Sequence, residues 1–209
     1  MKRYDLITEA DARTLDIGTA VSLAPGGQIT PLARDTLRAR KVTVLGDVVD
    51  VDVETLAPAA VIRRVAIGSD HSGVALKSAL RESLRARGLA VDDIGTHGIE
   101  PVDYPDIAAQ VARLVARREA DVGIVIDGAG LGSTMAANKV DGVRAAMCTD
   151  QTLARYAREH NGANVLALGA AVINSDMAKA IVETFISTPM RDARYMRRLA
   201  KISQIERSR

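Results

Sequence analysis

Apolar positions change their period near residue 65. From Val65 onward, short β-branched or apolar runs alternate with stretches in which apolar residues return every three or four positions. Runs of the first kind predict strands and stretches of the second kind predict amphipathic crossover helices, so the segment reads as β-α-β units around a mainly parallel sheet. Strands are predicted at Val65–Gly68, Leu89–Asp92, Val122–Ile126, Arg144–Cys148 and Val165–Leu168. Between them, Leu76, Leu80 and Leu84 share one helical face, as do Ile107, Val111, Leu114 and Val115.

Residues 1–46 have a different texture. Thr8-Glu9-Ala10-Asp11 predicts a helix start, Pro25-Gly26-Gly27 a turn, and Thr30-Pro31 an N-cap followed by proline at the first helical position. The helix from Pro31 to about Arg40 would lead into a strand at Val42–Leu45. Residues 47–64 read as a linker, because Asp47, Asp50, Asp52 and Glu54 follow one another with no base between Gly46 and Ala60. The division expected is therefore an N-terminal extension (1–46), a linker (47–64) and a main domain (65–209). So few large apolar groups make the extension marginal by itself, and it is expected to dock on another surface.

Composition narrows the class. In 209 residues, 47% are hydrophobic and 26% charged, which predicts a folded globular chain and excludes a mainly disordered one. The 28 basic and 26 acidic side chains leave a net charge of +2, so no overall charge draws the chain to nucleic acid or an anionic membrane. With no Trp and one Phe, platforms for stacking single-stranded bases are not expected either. The single cysteine, Cys148, excludes an intrachain disulfide and a cysteine-based metal site. Met1 to Leu15 lacks the apolar core of a signal peptide, and no apolar run reaches the roughly 18 residues of a spanning helix. A cytoplasmic location without membrane attachment is the expectation.

Parallel sheets of this kind bind ligands beyond the carboxyl ends of their strands, so the residues there carry the candidate chemistry. After the first main-domain strand, Ser69-Asp70-His71-Ser72-Gly73 places a carboxylate and an imidazole at a helix start, either as a polar-ligand site or as a plain helix cap. After the third, Asp127-Gly128-Ala129-Gly130-Leu131-Gly132-Ser133-Thr134 sets three alternating glycines ahead of a short helix predicted at Met135–Asn138. Such a loop can turn its backbone N–H groups toward an oxyanion. It lacks the Gly-Lys-Ser/Thr of a nucleotide P-loop and the acidic partner of a dinucleotide fingerprint. His160 and Asn161 close the helix after the fourth strand, where a histidine also serves as a terminus-stabilising group. Arg194 and Arg198, four apart on a predicted C-terminal helix, could clamp a dianion or belong to a solvated basic face.

Taken together and in order, these segments resemble the ribose-5-phosphate isomerase B and galactose-6-phosphate isomerase family. The resemblance runs from Val65 to Glu206 and rests on Gly68-Ser69-Asp70-His71-Ser72-Gly73, Asp103-Tyr104-Pro105 and the glycine loop running into Ala136-Ala137-Asn138-Lys139. Arg144-Ala145-Ala146, His160-Asn161 and Asn164-Val165-Leu166-Ala167-Leu168-Gly169 complete it. It implies a Rossmann-like three-layer α/β/α sandwich with a mainly parallel five-stranded sheet, no cofactor or metal, a sugar-phosphate substrate, and a homodimer or homotetramer with active sites between subunits. By the same resemblance His160 opens the sugar ring, Asp70 and Asn161 hold hydroxyls, and His71, Arg194 and Arg198 bind the phosphate. Backbone N–H groups of Gly128 to Gly132 would face the enediolate oxygen.

The chain departs from that pattern at one place. Most family members carry a cysteine as the proton-shuttling base where this chain has Asp127, and the usual threonine two residues later is Ala129. A carboxylate can serve as base next to a carbonyl. Certain members use a glutamate in this loop at the position of Ser133, and one subunit type of galactose-6-phosphate isomerase shares the aspartate and serine but works with a cysteine-bearing partner. The resemblance therefore implies an aldose–ketose isomerase, or a partner-dependent sugar-phosphate-binding subunit, or an isomerase for a hexose 6-phosphate. A shorter likeness, in Ile7-Thr8-Glu9-Ala10-Asp11-Ala12-Arg13 and Thr30-Pro31-Leu32-Ala33-Arg34-Asp35, connects the extension with those of bacterial microcompartment-associated enzymes. It implies shell or cargo partners and a place inside a microcompartment, against the alternative of a stabilising or oligomerising appendage.

Overall fold

A computed structural model describes residues 2–45, 56–190 and 193–208. The acidic stretch Asp47 to Glu54 of the expected linker lies outside the described residues. The chain forms two compact units, one of Met1–Ala57 together with Arg191–Arg209 and one of Pro58–Met190.

The smaller unit starts β1 (Arg3–Ile7), α1 (Glu9–Thr14), β2 (Ala20–Ile29), α2 (Pro31–Ala39) and β3 (Thr43–Leu45), with the three strands parallel in the order β1-β2-β3. Both helix starts fall where the caps predict. The Asp11 carboxylate accepts the Thr8 N–H at 2.9 Å while Thr8 Oγ1 accepts the Asp11 N–H at 3.3 Å, a reciprocal capping box. Thr30 caps α2, with Pro31 at its first position. Pro25-Gly26-Gly27 is not a turn between elements. Pairing with β1 runs in the same direction on both sides of it, from Tyr4↔Leu23 to Leu6↔Gln28, so the extra residues bulge out of β2 and the parallel ladder resumes.

Tyr4, Ile7, Val21, Leu37 and Val42 centre the small core of this unit. Because α1 and α2 pack side by side, as right-handed crossovers in this strand order require, the other face of the sheet needs a cover. Helix α8 (Ala193–Arg207) lies against β2 and β3 and buries Tyr195, Met196, Leu199 and Ala200. The compact units thus divide the chain differently from the sequence boundaries, which grouped α8 with residues 65–209. The apolar face of α8 completes the marginal N-terminal segment.

In the larger unit, β4 (Arg64–Ser69), β5 (Ala90–Gly95), β6 (Val122–Asp127), β7 (Ala145–Met147) and β8 (Val165–Gly169) form one parallel sheet in the order β5-β4-β6-β8-β7. It alternates with α3 (Val74–Ala86), α4 (Tyr104–Ala116), α5 (Leu131–Ala137), α6 (Gln151–Glu159) and α7 (Ser175–Ser187). Successive side chains of a strand point to opposite faces, and here both faces are covered. Ile67, Ile124, Ile126 and Leu168 meet Leu80 of α3 and Phe185 of α7, whereas Ala66, Val125 and Ala167 meet Val111 of α4. Small residues on the second face let α4 approach closely: a Cβ on Gly123 would lie 2.8 Å from Val111 Cγ1. This is the three-layer α/β/α arrangement expected. Each large side chain fully buried in it contributes about 1.5–3 kcal/mol relative to exposure.

Charged groups also lie deep in this unit. Lys77, 1% exposed, donates from Nζ to Asp93 Oδ1 at 2.5 Å and to Thr96 O at 2.7 Å, and Arg81 Nη1 reaches Asp93 Oδ2 at 2.8 Å. Burial alone would push the Asp93 carboxyl up, but the Lys77 ammonium, the Gly95 N–H and the Arg81 guanidinium together hold it below its ordinary value. Thr96 N–H in turn donates to Ser69 O at 2.6 Å, so the pair fixes the segment leaving β5 against the end of β4.

Candidate active site

Two loops leave the carboxyl edge of the sheet side by side. In the first, Asp70 Oδ1 accepts the N–H groups of Ser72 at 2.9 Å and Gly73 at 3.2 Å, and the Ser72 hydroxyl at 2.6 Å. All three bonds fall on Oδ1, so the capping alternative for this residue is met through that oxygen. His71 Nδ1 accepts the Val102 N–H at 3.4 Å, so the neutral ring carries its proton on Nε2 as a donor.

The second loop begins at Asp127, 4% exposed at the end of β6. Its Oδ1 accepts the N–H of Ala129 at 2.9 Å and that of Gly130, and its Oδ2 accepts the Ser133 N–H at 2.8 Å. The loop is pinned from the other side by Ala170 N–H to Asp127 O at 2.8 Å and Ala171 N–H to Gly128 O at 2.9 Å. Gly130 sits at φ 80°, where a Cβ would also lie 3.0 Å from the Leu168 carbonyl carbon, so both conformation and space call for glycine.

Two sequence expectations change here. The helix starts at Leu131 rather than Met135, because the Asp127 carboxylate supplies an acceptor for a first-turn N–H within the glycine run. The N–H groups of Ala129 and Gly130, counted among those facing an enediolate oxygen, are held by the loop's own carboxylate. An aspartate is long enough to fold back onto a nest of backbone donors two to six residues ahead, and the nest takes the nearest anion.

The structure brings Asp70, His71, Asp127, Gly128, Gly130, Gly132 and Ser133 to one edge. A Cβ on Gly128 would lie 3.8 Å from Ser72 Oγ, so the two loops face each other. Tyr104, given no role from the sequence, packs its half-exposed ring on Gly132, where a Cβ would lie 2.4 Å from Cζ. Its motif, Asp103-Tyr104-Pro105, was visible; the contact with a loop 28 positions later in the chain was not.

His160 and Asn161 are elsewhere. In a parallel sheet α6 returns the chain from the carboxyl end of β7 to the amino end of β8, which places the turn after it at the opposite edge from Asp70 and Asp127. There the His160 ring stacks on Tyr156, centroids 4.6 Å apart, and Asn161 Nδ2 donates to Tyr156 O at 3.1 Å. Arg194 and Arg198 lie on α8, in the other compact unit. Arg198 is exposed over the Tyr195 ring at 5.4 Å, and the Arg194 side chain is outside the described residues. Among the described residues, no cluster of three or more His, Cys, Asp or Glu could hold a metal ion.

Fold and loops define a Rossmann-like α/β protein with two facing loops at the carboxyl edge of a parallel sheet. The family model for ribose/galactose isomerase matches residues 65–202. The chain belongs to that family of sugar isomerases. It is 40% identical over 148 residues to ribose-5-phosphate isomerase B of Escherichia coli K12, covering 71% of this chain and 99% of that one. Ribose-5-phosphate isomerase B of Clostridium thermocellum, 49% identical, superposes with a TM-score of 0.69 over 69% of this chain and 98% of that structure. The Mycoplasma genitalium enzyme, solved with bound ribulose-5-phosphate, is 36% identical with a TM-score of 0.68, covering 71% of this chain and 99% of that structure. No helix among the described residues is long and apolar enough to cross a membrane.

Proposed function

We propose that the chain interconverts ribose 5-phosphate and ribulose 5-phosphate through an enediolate. The observation that carries this reading is the pairing of an engaged and a half-free carboxylate at one sheet edge: Asp70 keeps Oδ2 for a sugar hydroxyl while Asp127 stands buried beside it in the glycine loop. Asp127 removes the proton from C2 of the open-chain aldose to give the enediolate, O1 takes up the proton that O2 releases, and return of the carbon-bound proton from Asp127 to C1 forms the C2–O2 carbonyl of the ketose. His160 and Asn161 lie at the far edge of the same sheet, so ring opening is assigned to those residues of a second copy, in a homodimer or homotetramer. His71, Arg194 and Arg198 are assigned to the phosphate, and Ser133 to the catalytic group with Asp127 and His160.

The test is loss of the C2 proton of ribose 5-phosphate in deuterated water, followed by NMR, with Asp127→Asn as control. The same assay on hexose 6-phosphates separates the two sugar classes. Absence of exchange and turnover on every sugar phosphate sinks the isomerase reading. One observation favours a second reading, a partner-dependent binding subunit: both oxygens of Asp127 are already engaged by backbone N–H groups. That reading predicts calorimetric binding of the sugar phosphate with no exchange at C2.

A further inference from the structure

The turn that carries His160 and Asn161 is held by a buried cation that no carboxylate balances among the described residues. Arg158, near the end of α6, is 1% exposed. Its Nη1 donates to Ala163 O at 2.8 Å and its Nη2 to Ala59 O at 2.9 Å, and the guanidinium lies 5.2 Å from the centre of the Phe185 ring. Among the described residues, Nε has no hydrogen-bond partner. Burial first, and the like charge of Arg144 second, push the guanidinium down to about 10, so it remains charged at neutral pH.

Burying a cation without an anion costs free energy, and an apolar side chain of similar size would not carry that cost. The guanidinium does what an apolar side chain cannot: its planar fork bonds two carbonyls that lie far apart in sequence. The backbone of Arg158 acts on the same turn, since its carbonyl accepts the Gly162 N–H at 3.1 Å. Side chain and main chain of one residue therefore close the turn at two successive positions, Gly162 and Ala163. Ala59 precedes residue 65, where the family match begins.

We propose that Arg158 is a positioning residue: a buried fork that fixes the His160–Asn161 turn against the segment ahead of β4, and so sets the direction in which His160 is presented to the sugar. The proposal rests on the reading of His160 as a site residue. It does not require Arg158 to touch substrate.

Three measurements on the full-length protein test it. In the unaltered protein, NMR should resolve the Arg158 Nη protons as separate, slowly exchanging resonances; averaged, fast-exchanging Nη protons overturn the fork. In Arg158→Met, hydrogen exchange should rise together at 160–163 and 58–63 while β6 stays protected; a uniform rise across the unit would reduce Arg158 to a general packing group and overturn the proposal. On ribose 5-phosphate, Arg158→Met should lower kcat about ten- to a hundredfold with KM within about twofold, as small misplacements of a reacting group do. Arg158→Lys, which keeps the charge and can reach one carbonyl, should recover part of the loss. A KM effect without a kcat effect, or Arg158→Lys no better than Arg158→Met, overturns it. If the unaltered protein turns over no sugar phosphate, the functional reading fails, and the resonance and exchange results still decide the fork.

Discussion

Asp70 and Asp127 end neighbouring strands of the same sheet, and both fold back onto the N–H groups just ahead of them, yet they are left with different capacities. Among the described residues, Asp70 makes its bonds through Oδ1. Asp127 uses Oδ1 for Ala129 and Gly130 and Oδ2 for Ser133. The first is a cap with a spare acceptor. The second is the internal anion that shapes the glycine loop, so any part it takes in proton transfer must disturb the loop as well. One residue type in one local motif thus engages one carboxylate oxygen or both, according to how many backbone donors lie within reach.

The largest expected effect breaks this comparison at its second member. Asp127→Asn would set the amide Nδ2 or the lone remaining oxygen against the N–H groups of the loop, leaving a buried donor unpaired at about 1–3 kcal/mol. It should also lower C2 exchange by about a thousandfold, the scale of a lost catalytic base; proton exchange and a denaturant titration measure the two together. If exchange falls with no change in stability, the structural role assigned to Asp127 is wrong. Next comes Lys77→Met, which removes the buried partner of Asp93 while Arg81 remains, and should cost about 3 kcal/mol in a urea titration, the lower end for a broken buried pair. Because Thr96 loses its hold, the expected exchange increase is on the Asp70 side, near 96–102, and not in the glycine loop.

A smaller effect is expected at the first member. Asp70→Asn keeps an oxygen for the Ser72 and Gly73 N–H groups, so stability should stay within about 0.5 kcal/mol, while the lost charge at the hydroxyl acceptor should raise KM about tenfold, on the scale of one hydrogen bond to a charged group. Equal stability losses in the two Asp→Asn variants would erase the distinction drawn between the loops. The smallest effect is acid sensitivity away from both. Burial would raise the Asp93 and Asp121 carboxyls, but Lys77 and the Gly95 N–H at one, and the Arg63 and Arg64 N–H groups at the other, hold both below the ordinary 3.8. The unfolded chain then binds more protons than the folded one, so this stability is present above pH 3.8 and is lost as pH falls below it. Thermal scans between about pH 2 and 5 should show the loss, reduced in Asp93→Asn.

Much of this was legible in order along the chain. Thr8 with Asp11, and Thr30 with Pro31, marked helix starts because caps act within four residues. The five main-domain strands were visible because a strand covered on both faces must be apolar at successive positions, whatever lies around it. Pro25-Gly26-Gly27 misled because the same residues serve a turn or a bulge, and the partner strand decides between them.

By itself, then, the amino-acid order determined the α/β class, the family and the presence of Asp70, Asp127 and the glycine loop at strand ends, since these follow from local periodicity and short-range motifs. Only tertiary structure decided that α8 completes the N-terminal sheet, that His160 stands at the edge opposite Asp127, that Tyr104 lies on Gly132, and that Arg158 joins Ala59 to Ala163. The physical reason is the same in each case. A helix face, a ring or a guanidinium satisfies itself with whatever the fold brings near, and sequence distance says nothing about which partner that will be.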